Sequence, residues 1–128
     1  MSATESGWAI ADVNEIPAVK PDWPATWKSV RHHFGITAFG INAVTKDAGA
    51  VLIPEHHESE SGQQEIYFVH RGGALVTLDG EAHELPEGSM VAVEPGVARK
   101  IEATASPTTL IAIGGTPGRA YEVGDWEK

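Results

Sequence analysis

Between positions 54 and 73 the chain reads PEHHESESGQQEIYFVHRGG. His56 and His57 stand side by side among Glu55, Glu58 and Glu60, and Glu65 opens a short apolar run. Imidazole nitrogens and carboxylate oxygens are the donors that hold divalent metals. The segment therefore reads as a metal site, as the remains of one, or as a polar loop leading into a strand. Successive side chains of a strand point to opposite faces, so His56 and His57 cannot enter one cavity without a bulge. Tyr67 shares the parity of Glu65 and is expected to face inward with it, where its phenol binds a ligand or satisfies a buried partner. His70 has the opposite parity and belongs on the outer face. His32, His33 and His83 read as solvated. Asn42, inside an otherwise apolar stretch, needs hydrogen-bond partners from the backbone or from a ligand.

The elements that must position these residues are short strands. Strand-like runs occupy 35–45, 49–53, 65–70, 74–78, 89–93, 97–103 and 108–113, separated by Gly- and Pro-containing turns. Asp79-Gly80 is the clearest hairpin signal, because a type I′ turn needs positive φ at both central residues. Helical periodicity is nearly absent, and 14 Gly and 8 Pro punctuate the chain. This spacing predicts an all-β sandwich, barrel or jelly roll. Residues 1–30 differ: Pro17, Pro21 and Pro24 alternate with Trp23 and Trp27, which suits an extended N-terminal arm. Trp126 stands alone in the tail. These tryptophans either pack the chain ends onto the barrel or cover an edge of a partner subunit. The Gly72-Gly73 and Gly114-Gly115 pairs read as turn or bulge glycines at strand ends.

The 128 residues suffice for one domain with a core. Lys and Arg number 9 against 18 Asp and Glu, a net charge of −9. Nucleic acid and anionic membranes both require a basic face, so neither is an expected partner. With no cysteine, disulfides, thiolate nucleophiles and Cys-ligated zinc are excluded. The N-terminus lacks the basic and apolar regions of a signal peptide, and no apolar run approaches the roughly 20 residues that span a bilayer. A cytoplasmic protein is the expectation. Nucleophile elbows, P-loops and dinucleotide fingerprints are absent.

Residues 49–101 resemble the two-motif core of the cupin superfamily. The first motif, a Gly, His-x-His, a Glu, six residues and a Gly, is similar to Gly49, Pro54-x-His56-x-Glu58, Glu65 and Gly72. The second, a Gly, five residues, Pro-x-Gly, two residues and a His, is similar to Gly88, Glu94-Pro95-Gly96 and Arg99. The flanks resemble small bacterial one-domain cupins with no assigned activity. The resemblance implies a single cupin domain over 1–128, a jelly-roll barrel (double-stranded β-helix) with the extended arm at 1–30, and a homodimer.

It also implies a three-His, one-Glu cage for Mn, Fe, Ni or Zn, from which this chain departs. Only Glu65 is clearly in place. Arg99 holds the third His position, and the His pair has become His56-x-Glu58 or, in the other register, Glu55-x-His57. In the first register six residues separate Glu58 from Glu65, so 59–64 is a looped insertion. The remaining set is His56, Glu58 and Glu65, or His57 in the alternative register, and its oxygen-rich character suits Mn or Mg. Arg99 keeps its charge and repels a cation. Pointing inward, it is expected to pair bidentately with Glu65 and replace the metal. The cofactor is then either none or a divalent metal. Three functions stay open. One is a module that binds a small, anionic organic ligand through His56, Glu65, Tyr67 and Arg99. Another is an enzyme, either a metal-dependent dioxygenase or isomerase using His56, Glu58 and Glu65, or a metal-free isomerase with a His or Tyr as general acid or base. The third is a vestigial pocket on a protein-interaction module.

Overall fold

The computed structural model describes residues 7–19 and 26–123. Pro21, Trp23, Pro24 and Trp126, named above, lie outside them. Nine strands form two antiparallel sheets among the described residues. They are β1 (Thr26–Ser29), β2 (Gly40–Lys46), β3 (Val51–His56), β4 (Gln64–Arg71), β5 (Gly73–Leu78), β6 (Glu81–Pro86), β7 (Met90–Val93), β8 (Arg99–Ala103) and β9 (Thr108–Gly115). One sheet has the order β1-β2-β9-β4-β7 and the other β3-β8-β5-β6. This is the jelly roll expected from the strand spacing. The core lies between the sheets, where Val44, Leu52, Val69, Val76, Ile101 and Leu110 are all at most 1% exposed.

Local chemistry explains the boundaries. Asp79 (φ 48°) and Gly80 (φ 85°) take the positive φ values of a type I′ turn and bring Leu78 opposite Glu81. Asp79 Oδ1 also accepts from the Ala98 amide, tying the hairpin to the approach of β8. Pro54 sits in β3 and Pro86 in β6, the two edges of their sheet, where a missing N–H breaks no ladder.

Two departures from the sequence expectation concern the N-terminal third. The run 35–45 begins as a strand only at Gly40, and His32 and His33 lie on a one-turn helix, α1 (Val30–Phe34). Ser29 caps it by accepting from the His32 amide, and Gly35 ends it with φ 72°. Residues 26–29 are not part of a free arm but a strand paired with β2. The preceding segment also rests on this chain: Lys28 Nζ donates to the Val13 carbonyl, and the Val19 amide donates to the Trp27 carbonyl. Trp27 packs against the core, whereas Trp8 and Ile10 are exposed. Among the described residues no helix is long and apolar enough to cross a membrane.

Replacing Ile101, 0% exposed at the centre of the core, with alanine removes most of a buried side chain and leaves a cavity. Urea unfolding is expected to show a loss of about 2–5 kcal/mol, with Lys100→Ala on the outer face of the same strand close to wild type.

Candidate functional site

One end of the barrel gathers the groups singled out in the sequence. His56 ends β3 and is the cross-strand partner of Arg99, the first residue of β8. The pairing of β3 with β8 shifts twice, between Val51 and Ile53 and between Ile53 and His56. These irregularities break the simple alternation: consecutive Leu52 and Ile53 are both buried, His56 turns in and His57 is exposed. His57 Nδ1 only accepts from the Ser59 amide, so the alternative register is not the one that builds the site. Residues 57–63 form the looped insertion. Its turn is closed by the Gly62 amide donating to the Glu58 carbonyl, with Gly62 at φ 71°. The Glu58 amide donates to the Pro95 carbonyl, and Ser61 Oγ donates to Glu58 Oε2 at 3.0 Å, which aims the carboxylate.

On the facing sheet, Glu65, Tyr67 and Val69 of β4 point inward as their parity requires. The Tyr67 hydroxyl donates to Glu65 Oε1 at 2.8 Å. His56 Nε2 lies 3.4 Å from Glu58 Oε1 and 3.8 Å from Glu65 Oε1. His56 Nδ1 is 2.8 Å from the Pro54 carbonyl oxygen. A carbonyl only accepts, so Nδ1 carries the proton and Nε2 presents to the two carboxylates either a lone pair or a second proton.

Arg99 enters the interior, wholly buried. The expected bidentate pair with Glu65 does not form. Nη2 donates to the Glu94 carbonyl at 2.9 Å, Nη1 stands 3.6 Å from Glu65 Oε1, and Nη1 and Nε have no hydrogen-bond partner among the described residues. The guanidinium thus acts as a counter-charge behind Glu65 rather than as a clamp upon it. Asn42, on β2, presents a buried Oδ1 with no hydrogen-bond partner among the described residues. His70 and His83 are exposed, as parity and position suggested.

Sequence reasoning missed the empty places in this layer. Gly40 pairs with Gly114, and Gly114 with Glu65. Gly114 is therefore a mid-sheet residue and not the turn glycine expected. By parity with Val44 and Leu110, both glycines face the interior. A methyl group on Gly114 would lie 3.0 Å from Gln63 Oε1 and 3.1 Å from Glu65 Cγ; one on Gly40 would lie 2.6 Å from the Tyr121 ring. The signal was present as glycines in paired strand segments, Gly40 opening β2 and Gly114 one residue before the end of β9, where a missing side chain marks close approach of another group.

Electrostatics follow from these contacts. The Glu65 carboxylate facing Nε2 raises the His56 pKa above its ordinary 6.5, against the opposite pull of burial and with help from the Pro54 carbonyl and Glu58. Burial pushes Glu65 up, but His56, Tyr67 and Arg99 together hold it below its ordinary 4.5. Burial, then the Glu65 charge, drives the Tyr67 phenol far above its usual range, so it stays a proton donor in the hydrogen bond. The stabilisation linked to protonated His56 is present in full below pH 6.5 and fades as pH rises through the raised value. That linked to ionised Glu65 is present above pH 4.5 and fades as pH falls through the lowered value. In the metal-free protein, NMR titration is expected to place His56 above 6.5, and Glu65→Gln to bring it down.

The donor set fits a divalent ion. His56, Glu58 and Glu65 each offer one atom, all within 4.8 Å of one another. Donors about 2.1 Å from a common ion lie roughly 3.0–3.5 Å apart, near the 3.4 and 3.8 Å seen here. A metal-ligating imidazole commonly donates its other N–H to a carbonyl or carboxylate, as His56 does to Pro54.

A family model described as a cupin domain matches residues 44–114. An uncharacterized protein of Methanocaldococcus jannaschii is 31% identical over 68 residues, covering 53% of this chain and 51% of that protein. The chain thus matches about half the length of that relative. Among solved structures, a cupin protein from Bacteroides fragilis is similar with a TM-score of 0.64 at 22% identity, over 85% of this chain and 92% of that one. KdgF from Halomonas sp. is similar with a TM-score of 0.63 at 24% identity, over 78% and 86%. At such identities the structures speak for the fold alone, but the family model spans more than half of the chain: it belongs to the cupin family.

Proposed function

We propose that this cupin binds a small anionic organic ligand at the barrel mouth, through a divalent cation held by His56, Glu58 and Glu65. The observation that carries the reading is His56: its Nδ1 is committed to a backbone carbonyl while its Nε2 faces two carboxylate oxygens. Charge supports the anionic ligand. With His56 neutral, two carboxylates against the buried Arg99 leave one net negative charge, which repels an acid; a divalent cation, which His56 can ligate only when neutral, turns that balance to one net positive. When bound, the cation supplies a fixed positive charge to the ligand's oxygens. Around it, Ser61 aims Glu58, Tyr67 and Arg99 hold Glu65, and the Pro54 carbonyl orients His56. The His56 side chain is partly shielded, at 36% exposed. The oxygen-rich set favours Mn or Mg over softer metals.

Titration calorimetry with MnCl2 on EDTA-treated protein tests this. One site per chain is expected, weakened at least tenfold in His56→Ala and in Glu58→Gln, and weaker at pH 5.5 than at pH 8 because ligation requires His56 to lose its proton. Absence of Mn binding in the folded wild type would remove the reading.

We further propose a homodimer through the outer face of the β1-β2-β9-β4-β7 sheet. An antiparallel sheet exposed on one side ordinarily carries polar residues there. Here the outward rows are Ile41, Ile113, Ile66 and Ala92, then Lys28, the buried Ala43, Ile111, Phe68 and Met90, so that from β9 to β7 both rows are apolar and Lys28 at the β1 end is their one charge. A groove of about 550 Å³ runs along this face past Phe39 and Pro117. A second copy is the fitting occupant, because the apolar patch Ile41, Ile66, Phe68, Met90, Ala92, Ile111 and Ile113, with Lys28 at one margin and Glu94 at the groove, can meet its own copy under a two-fold axis in a chain whose net charge is −9. Light scattering is expected to give twice the 13.6 kDa chain mass, and Ile66→Lys to give the monomer.

A further inference from the structure

Residues 116–123 follow β9 and leave the sheet at the end of the barrel that holds the site. The turn is made by the Arg119 amide donating to the Thr116 carbonyl, with Gly118 at φ 71°. Thr116 Oγ1 donates to the Ser61 carbonyl, so this strap is tied to the insertion that carries Glu58. From 117 to 123 every residue but Tyr121 is exposed. Tyr121 turns in and fills the space that Gly40 leaves: its Cε1, Cζ and hydroxyl lie 2.6–2.7 Å from where a Gly40 side chain would begin. The Arg31 guanidinium stands 5.5 Å from the ring centroid, and Arg31, only 7% exposed, is itself held by Nη1 donating to the Ile36 carbonyl. Gly40 is the cross-strand partner of Gly114, whose inner side is in contact range of Glu65 Cγ. Paired positions of neighbouring strands lie about 5 Å apart, so the phenol enters the layer occupied by the acid. Between strap and insertion lies a polar pocket of about 330 Å³ lined by Ser61, Gln63, Thr116, Arg119, Tyr121 and Glu122.

We propose that Tyr121 is a specificity-determining wall of the barrel site: the strap seats its ring over Gly40, narrows the mouth beside Glu65, and so limits the bulk of the acid that the site admits. Nothing larger than a glycine at position 40 is compatible with that seat, which explains a glycine at the start of an otherwise apolar strand. Arg31 is the positioning residue that keeps the ring in place. The ligand side of the inference rests on the function proposed above, whereas the closure itself does not.

The test is therefore made on the EDTA-treated full chain, with diethyl pyrocarbonate as the probe of imidazole access and peptide mass spectrometry to read each histidine at one fixed pH. The expected result is a several-fold faster modification of His56 in Tyr121→Ala and in Gly40→Ala, with exposed His83 unchanged as internal reference. Tyr121→Phe, which keeps the ring, restores the wild-type rate, and Arg31→Gln gives an intermediate one. A fold defect is read separately, as a lowered urea-unfolding midpoint of the variant. An unchanged His56 rate in Tyr121→Ala overturns the inference even if Mn binds. A His56 rate that responds to Tyr121 in a chain that binds no Mn retains the closure and removes only the metal. With Mn bound, benzoate is expected to gain affinity relative to acetate in Tyr121→Ala; equal ratios in wild type and variant would remove the specificity role.

Discussion

A guanidinium with none of its surface exposed sits under the mouth of this barrel, and most of the site is a response to it. Arg99 cannot shed its proton, and a buried charge without a counter-charge is severely destabilising. Glu65 supplies the counter-charge from the opposite sheet at 3.6 Å, and the Glu94 carbonyl takes one N–H. Glu65 must then stay ionised although largely shielded from water. The Tyr67 hydroxyl and His56 make that tolerable, and they hold its pKa low against the opposing effect of burial. Arg99 and Glu65 together pin the two sheets at one register, since each is fixed in its own ladder, Arg99 against His56 and Glu65 against Val93 and Gly114.

The same arrangement leaves chemistry unspent. Because Arg99 approaches Glu65 with one nitrogen and without bidentate geometry, the acid keeps oxygen lone pairs for the mouth. His56 contributes the one lone pair in the group that a proton or a metal must occupy, and Glu58 is aimed toward it by Ser61. A buried cation beside a candidate metal site is thus not a contradiction. It sets the charge of the loaded site, and so the charge of what the site prefers.

Site and shape are linked through absent side chains. Gly40 and Gly114 clear one side of the mouth, and three side chains from two segments occupy the space: Glu65 and Gln63 from the β4 side and Tyr121 from beyond β9. Each substitution of a glycine here would act first on the pocket rather than on backbone conformation, because neither residue has a positive φ among the described glycines that do.

Local chemistry in the sequence determined a good deal. The strand spacing, the Asp79-Gly80 hairpin, the inward parity of Glu65 and Tyr67, and the exposure of His70 and His83 follow from a period of two and from turn stereochemistry, both readable within a few residues. Tertiary structure decided what depends on distant partners. The irregular pairing of β3 with β8 turned His56 in and His57 out. The pairing of residues 26–29 with β2 made a strand where prolines nearby suggested an arm. Whether Arg99 would clamp Glu65 or merely stand behind it depended on how far apart two sheets settle. That separation is a property of the packed core, and no stretch of either strand records it.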